Sequence, residues 1–109
     1  MNINLRGFGK TAILDCKGKL TIGEGDVALR GQILDALKMG YKKIVLNLKE
    51  ITTIDSAGLG EIIRSFTTAK KENTELGILN PSDKVFDLLT LTKLITVLPI
   101  YSNEEEAKK

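Results

Sequence analysis

A serine stands at position 56 in the run Ile54-Asp55-Ser56-Ala57-Gly58-Leu59-Gly60, between a stretch that reads as a buried strand and one that reads as an amphipathic helix. The first N–H groups of a helix lack partners within it, and the helix dipole places partial positive charge there. A hydroxyl at that spot can cap the helix, and a phosphate is favoured there still more. The sharp reading is a phosphorylation switch at Ser56. The bland one is a helix cap, and spacing alone favours the cap. Other chemistries fit less well. A nucleophile elbow needs glycine two residues before the serine, where Ile54 stands. The chain has no histidine, so neither a Ser-His-Asp nor a Cys-His site can be built within it. Gly58-Leu59-Gly60 and Gly23-Glu24-Gly25 are bare G-x-G pairs without the Lys-Ser or Lys-Thr of a phosphate-binding loop. The single cysteine, Cys16, lies in an apolar run and reads as a small buried hydrophobe. One cysteine and no histidine exclude an internal disulfide and a structural zinc site. The expectation is no enzyme, no metal and no cofactor.

The elements that must position Ser56 follow from periodicity. Residues 2–6 alternate as a short strand, Gly7 to Lys10 turn, and Thr11 to Cys16 form a second strand, which predicts a hairpin. Thr21-Ile22-Gly23-Glu24 matches a capping box, so a helix should follow. Its apolar stripe is Leu29, Ile33, Ala36 and Leu37, widened by Val27 and Leu34, and Gly40 ends it. Lys43 to Leu48 reads as a central strand parallel to its neighbour, followed by a loop over 49–54. The second helix starts at Ser56 or just after, with Leu59, Ile62, Ile63, Phe66 and Ala69 or Lys70 inward. Gly58 and Gly60 remove side chains around the serine, which would let another molecule approach the backbone. Glu75 to Leu79 is a fourth strand, and Asn80-Pro81-Ser82-Asp83 opens a third helix. Ile95 to Tyr101 reads as a last extended segment at an edge, because Pro99 cannot donate to a ladder. A charged tail or short helix over 103–109 closes the chain. The order predicts an α/β domain, one mixed sheet of four to five strands with helices packed on it.

Composition narrows the partners. A chain of 109 residues is expected to be one domain. Sixteen Lys and Arg against 14 Asp and Glu, well interspersed, give a net charge of +2, which argues against nucleic acid. No apolar run approaches the ~20 residues of a membrane span. Residues 1–6 have no signal-peptide character, so the expected location is cytoplasmic.

Ile44-Val45-Leu46-Asn47-Leu48, then Ile51, then Ile54 to Gly60 closely resemble the signature of the STAS domain family, the bacterial anti-sigma factor antagonists and their relatives. Leu14 to Leu20 with Gly18, and Leu79-Asn80-Pro81 with Val85, Leu88, Leu89 and Leu94, extend the likeness over essentially the whole chain. The resemblance implies a partner switch. The unmodified antagonist sequesters an anti-sigma factor that is also a serine protein kinase, and the sigma factor is set free. Phosphorylation of the motif serine, here Ser56, releases the kinase, and a serine phosphatase resets the switch. A phosphate adds about −1.5 to −2 charges. The implied contact surface is Thr21, Ile22 and Gly23, the turn Asp55, Ser56, Ala57, Gly58, Leu59 and Gly60, and an exposed helix face with Glu61, Arg64 and Ser65. A monomer or weak dimer is expected. Two positions depart from the family pattern. Thr21 stands where an Asp is common, and Ala57 where Ser or Thr is common. The first departure leaves a second reading open: a STAS scaffold or subunit of a larger signalling or transport complex that is never phosphorylated.

Overall fold

A computed structural model describes residues 1–109. Strands β1 (Asn2–Phe8) and β2 (Thr11–Leu20) form the expected antiparallel hairpin. Helix α1 (Gly25–Lys38) carries the chain to β3 (Lys43–Ile54), which lies parallel to β2. Helix α2 (Ser56–Lys71) leads to β4 (Glu75–Leu79), parallel to β3. Then come α3 (Asp83–Leu91), a 3-10 turn (Leu94–Thr96), β5 (Ile100–Tyr101) parallel to β4, and α4 (Glu104–Lys108). The five strands lie in sequence order in one mixed sheet, antiparallel at the hairpin and parallel at every helical crossover. No helix is long and apolar enough to cross a membrane.

Strand alternation sorts the core into two layers. Leu14, Cys16, Ile44, Leu46, Leu76 and Ile78 meet α1, α2 and α3 through Leu29, Ile33, Ile62, Ala69, Val85 and Leu89. Their neighbours Ile13, Val45 and Leu79 point the other way, onto Ala107 of α4. Arg6 fastens α4 to this second face. Its Nη2 donates to Glu104 at 2.6 Å, and its Nε and Nη2 donate to Asp15 at 2.6 and 3.1 Å. Hydrogen bonds to Glu104 and Asp15 raise the Arg6 pKa. Burial alone would push Asp15 up, but hydrogen bonds from Arg6 and Asn47 outweigh it and hold the carboxyl below its usual range. Burial pushes the Cys16 thiol up to about 12, so it behaves as the expected buried hydrophobe.

Several local expectations are corrected. Residues 49–54 are strand rather than loop, because β2 continues to Leu20 and offers partners as far as the Leu20↔Ile54 pair, across two register shifts. The capping box before α1 does not form. Thr21 uses its backbone carbonyl to accept from Gly25 and Asp26, and Glu24 turns its carboxylate to the Met1 ammonium at 3.0 Å. Val27 and Leu34 are exposed and do not widen the buried stripe of α1. On α2, Ile63 is exposed, and Glu61 and Ser65 take its place on the buried side. The last extended segment shrinks to two residues, since Leu94–Thr96 coils and Pro99 precedes the pairing.

The end of β2 threads between the starts of α1 and α2. A Cβ on Gly25 would meet the Lys19 carbonyl oxygen, and a Cβ on Gly58 the Leu20 carbonyl oxygen. Gly58 therefore admits the protein's own backbone, which corrects the expectation that it opens the serine to another molecule. Gly60, by contrast, faces open space. Gly58→Ala is expected to lower unfolding free energy by about 1–3 kcal/mol through overpacking. Gly60→Ala is expected to raise it by about 0.5–1 kcal/mol through helix propensity. Urea unfolding of both variants checks the contrast, and equal effects would remove the crossing as the reason.

Candidate functional site

Ser56 is the first residue of α2, but it is not the cap. Asp55 holds that position in extended conformation, and its Oδ1 accepts from the Gly58 N–H at 2.9 Å. Its Oδ2 accepts from the Ile22 N–H at 3.0 Å, and its own N–H donates to the Leu20 carbonyl at 3.4 Å. One carboxylate thus binds the start of α2 to the loop after β2. Hydrogen bonds from the Gly58 and Ile22 N–H groups hold the Asp55 carboxyl below its usual range. With capping done by its neighbour, Ser56 is left exposed at the positive end of a four-turn helix.

The two predicted segments come together as one patch. Ile22 is 73% exposed and Gly23 exposed, with Thr21, Asp55, Ala57, Leu59 and Gly60 half-buried around Ser56. Three of the named residues do not belong to its outer surface. Gly58 is buried under the Leu20 carbonyl, and Glu61 lies with its side chain only 2% exposed. Ser65, expected beside Glu61 on the exposed face, is buried as well, while Arg64 is exposed as expected. Glu61 was expected on the exposed face of the second helix, and a carboxylate is rarely buried without a partner. Here Arg30 donates to its Oε1 from Nε at 3.1 Å and Nη2 at 2.9 Å, and Arg64 donates from Nη1 at 2.9 Å. Arg30 is the residue that sequence reasoning missed. The sequence shows it only as a cation one residue after Leu29 in α1, with no mark of a partner on another helix. The largest cavity, about 440 Å³, lies elsewhere, on the sheet face by Asn4, Asp15, Lys17, Asn47 and Lys49.

The model of the STAS domain family matches residues 2–107. The chain belongs to the STAS domain family. It is 34% identical over 108 residues to the anti-sigma F factor antagonist of Paenibacillus polymyxa, an alignment covering 98% of this chain and 92% of that one. A relative from Thermotoga maritima is 34% identical over 71 residues, and the match spans 63% of that relative's length and 65% of this chain. The crystal structure of tm1081 from the same organism superposes with a TM-score of 0.87 at 28% identity, covering 96% of this chain and 90% of that one. In this chain the STAS fold carries a serine at the head of α2, beside a carboxylate that ties two segments together.

The folded state depresses the pKa of Asp55, so the unfolded chain binds this proton more tightly. The stabilisation is complete above the ordinary carboxylate pKa of about 3.9 and is lost as pH falls through the lower folded value. In Asp55→Asn an amide nitrogen can face the Ile22 N–H in place of an acceptor oxygen. The variant is expected to melt lower than the parent at pH 7 and to converge toward it on acidification below pH 4. Thermal melts across pH 2–7 check this, and a gap that stays constant with pH would show that the charge on Asp55 is immaterial.

Proposed function

We propose that this protein is an anti-sigma factor antagonist whose binding is switched off by phosphorylation of Ser56. The observation that carries the reading is the division of labour at the head of α2. Asp55 does the capping, so the Ser56 hydroxyl is exposed and can be modified without unmaking the helix. The relative from Paenibacillus polymyxa supports it by its name.

In this reading, the surface formed by Thr21, Ile22, Gly23, Asp55, Ser56, Ala57, Leu59, Gly60 and Arg64 packs against an anti-sigma factor with serine kinase activity. Gly58 and Glu61 support that surface from beneath. Ser56 Oγ attacks the γ-phosphorus of the kinase's ATP, the hydroxyl proton passes to a base of the kinase and on to solvent, the P–O bond bridging the β- and γ-phosphorus breaks, and ADP leaves. The ester then carries about −1.5 to −2 charges beside the ionised Asp55. The N–H groups at the start of α2 tolerate that anion within the fold. A partner packed over the same spot meets uncompensated charge and desolvation cost, and it dissociates. A serine phosphatase restores the hydroxyl by hydrolysis. The protein itself catalyses nothing and acts in the cytoplasm as a monomer or weak dimer.

Thr21 favours a second reading. It supplies a hydroxyl where the family pattern often has a carboxylate beside the serine, so a kinase would meet a different surface. A STAS scaffold or complex subunit that is never phosphorylated fits that difference.

Intact and peptide mass spectrometry of the protein from its own cells, with and without stress, separates the two. Phosphate on the Ser56 peptide with condition-dependent occupancy is expected. Ser56→Glu should weaken capture of the partner by about tenfold or more, and Ser56→Ala should retain capture while abolishing its response to ATP. No phosphate under any condition, with Ser56→Ala behaving as the parent, would leave the scaffold reading standing.

A further inference from the structure

Between α1 and α2 lies a cleft of about 130 Å³, lined by Arg30 and Leu34 on one side and Glu61, Arg64, Ser65 and Thr68 on the other. Its electrostatics are unbalanced. Both guanidinium groups direct donors to a single oxygen, Oε1 of Glu61. One buried carboxylate therefore faces two arginines, and the cleft keeps one net positive charge. Each guanidinium carries five N–H donors, and most of those on Arg30 and Arg64 remain free for a second acceptor. The arginine side chains are 45% and 62% exposed, so those donors can be reached from outside. At the cleft wall the Ser65 hydroxyl is buried and has no hydrogen-bond partner. That oxygen has almost no accessible surface, so the two guanidinium groups are the donors that an acceptor entering the cleft would meet.

We propose that this cleft is a socket for one carboxylate, presented by an acidic side chain of a partner protein. The charge excess calls for an anion, and planar guanidinium groups match a carboxylate's two oxygens. The volume suits a side-chain terminus and is too small for a nucleotide. Exposed Leu34 gives the methylene stem of a Glu an apolar lip to lie against. A single carboxylate on a short free peptide is expected to bind weakly, with a Kd of about 1–10 mM that an NMR titration still follows to saturation, whereas one already held by a docked protein loses little further freedom on entering. Arg64 stands seven residues after Ala57 and four after Gly60 on α2, so it shares a helix face with those two members of the patch around the serine. The inference rests on reading that patch as a partner surface, but it does not require Ser56 to be phosphorylated.

The test is a titration of the full-length ¹⁵N-labelled protein followed by NMR. The probes are acetyl-Ala-Glu-Ala-amide, its Gln counterpart and inorganic phosphate. Saturable shifts at the Arg30 and Arg64 Nε–H groups and the Ser65 amide are expected with the Glu peptide alone. Glu61→Gln raises the cleft's charge from one to two and should tighten binding about fivefold, while Arg64→Gln should weaken it about fivefold. A purely structural role for these groups would not move affinity in opposite directions. If either variant fails to fold, Thr68→Glu tethers a carboxylate at the cleft and should abolish the peptide response. Equal response to the Gln peptide, binding of phosphate without the Glu peptide, no saturable shifts, or a response that survives Thr68→Glu would each overturn the proposal. Since every readout uses unphosphorylated protein, failure here leaves the Ser56 switch untouched, and failure of the switch leaves the socket intact.

Discussion

Everything at the working end of this molecule depends on how closely the end of β2 approaches two helix starts. The Lys19 and Leu20 carbonyl groups lie where side chains of Gly25 and Gly58 would otherwise be. That contact brings the loop Thr21 to Glu24 beside the first turn of α2. Asp55 then closes the gap by accepting two hydrogen bonds on one carboxylate. Without the glycines the segments could not meet, and without Asp55 they would meet with unpaired N–H groups. The exposure of Ser56 follows from these two constraints.

The division of tasks between adjacent residues follows from helix chemistry. The cap position needs an acceptor turned inward to the N3 N–H, and Asp55 supplies it. The next residue then points outward and has no structural task. A serine there adds a nucleophilic oxygen to a surface already organised to tolerate negative charge. A few residues on, α2 reverses the usual rule for a surface helix by burying a carboxylate. Glu61 is tolerated because Arg30 and Arg64 approach it from the solvent side, each keeping its own charge in contact with water.

Much of this was legible in the amino-acid order. The hairpin, the three crossover helices and the parallel strands follow from alternation, period and stop signals. The run from Ile54 to Gly60 identified the patch because a strand-to-helix turn constrains backbone geometry locally. What could not be read depends on partners distant in sequence. The extension of β3 through residues 49–54 requires β2 as a partner, and no local signal records it. Gly58 looked like an opening because the occupying carbonyl belongs to Leu20. Glu61 looked solvated because Arg30 lies 31 residues earlier on another helix. Thr21 and Glu24 satisfied a capping pattern, but Thr21 capped with its backbone and Glu24 found a competing cation.

The two borders of the sheet are unlike. At one, β5 contributes only two residues after a proline, with the short α4 following at once. At the other, β1 runs for seven residues with its outer rim unmatched by any strand of this chain. An incoming extended peptide would find a continuous ladder of donors and acceptors only along β1. Growth of the sheet is thus directional. Its β5 side is closed by brevity, whereas on the β1 side the Arg6 guanidinium is turned onto the sheet face, committed to Asp15 and Glu104, and leaves the rim open.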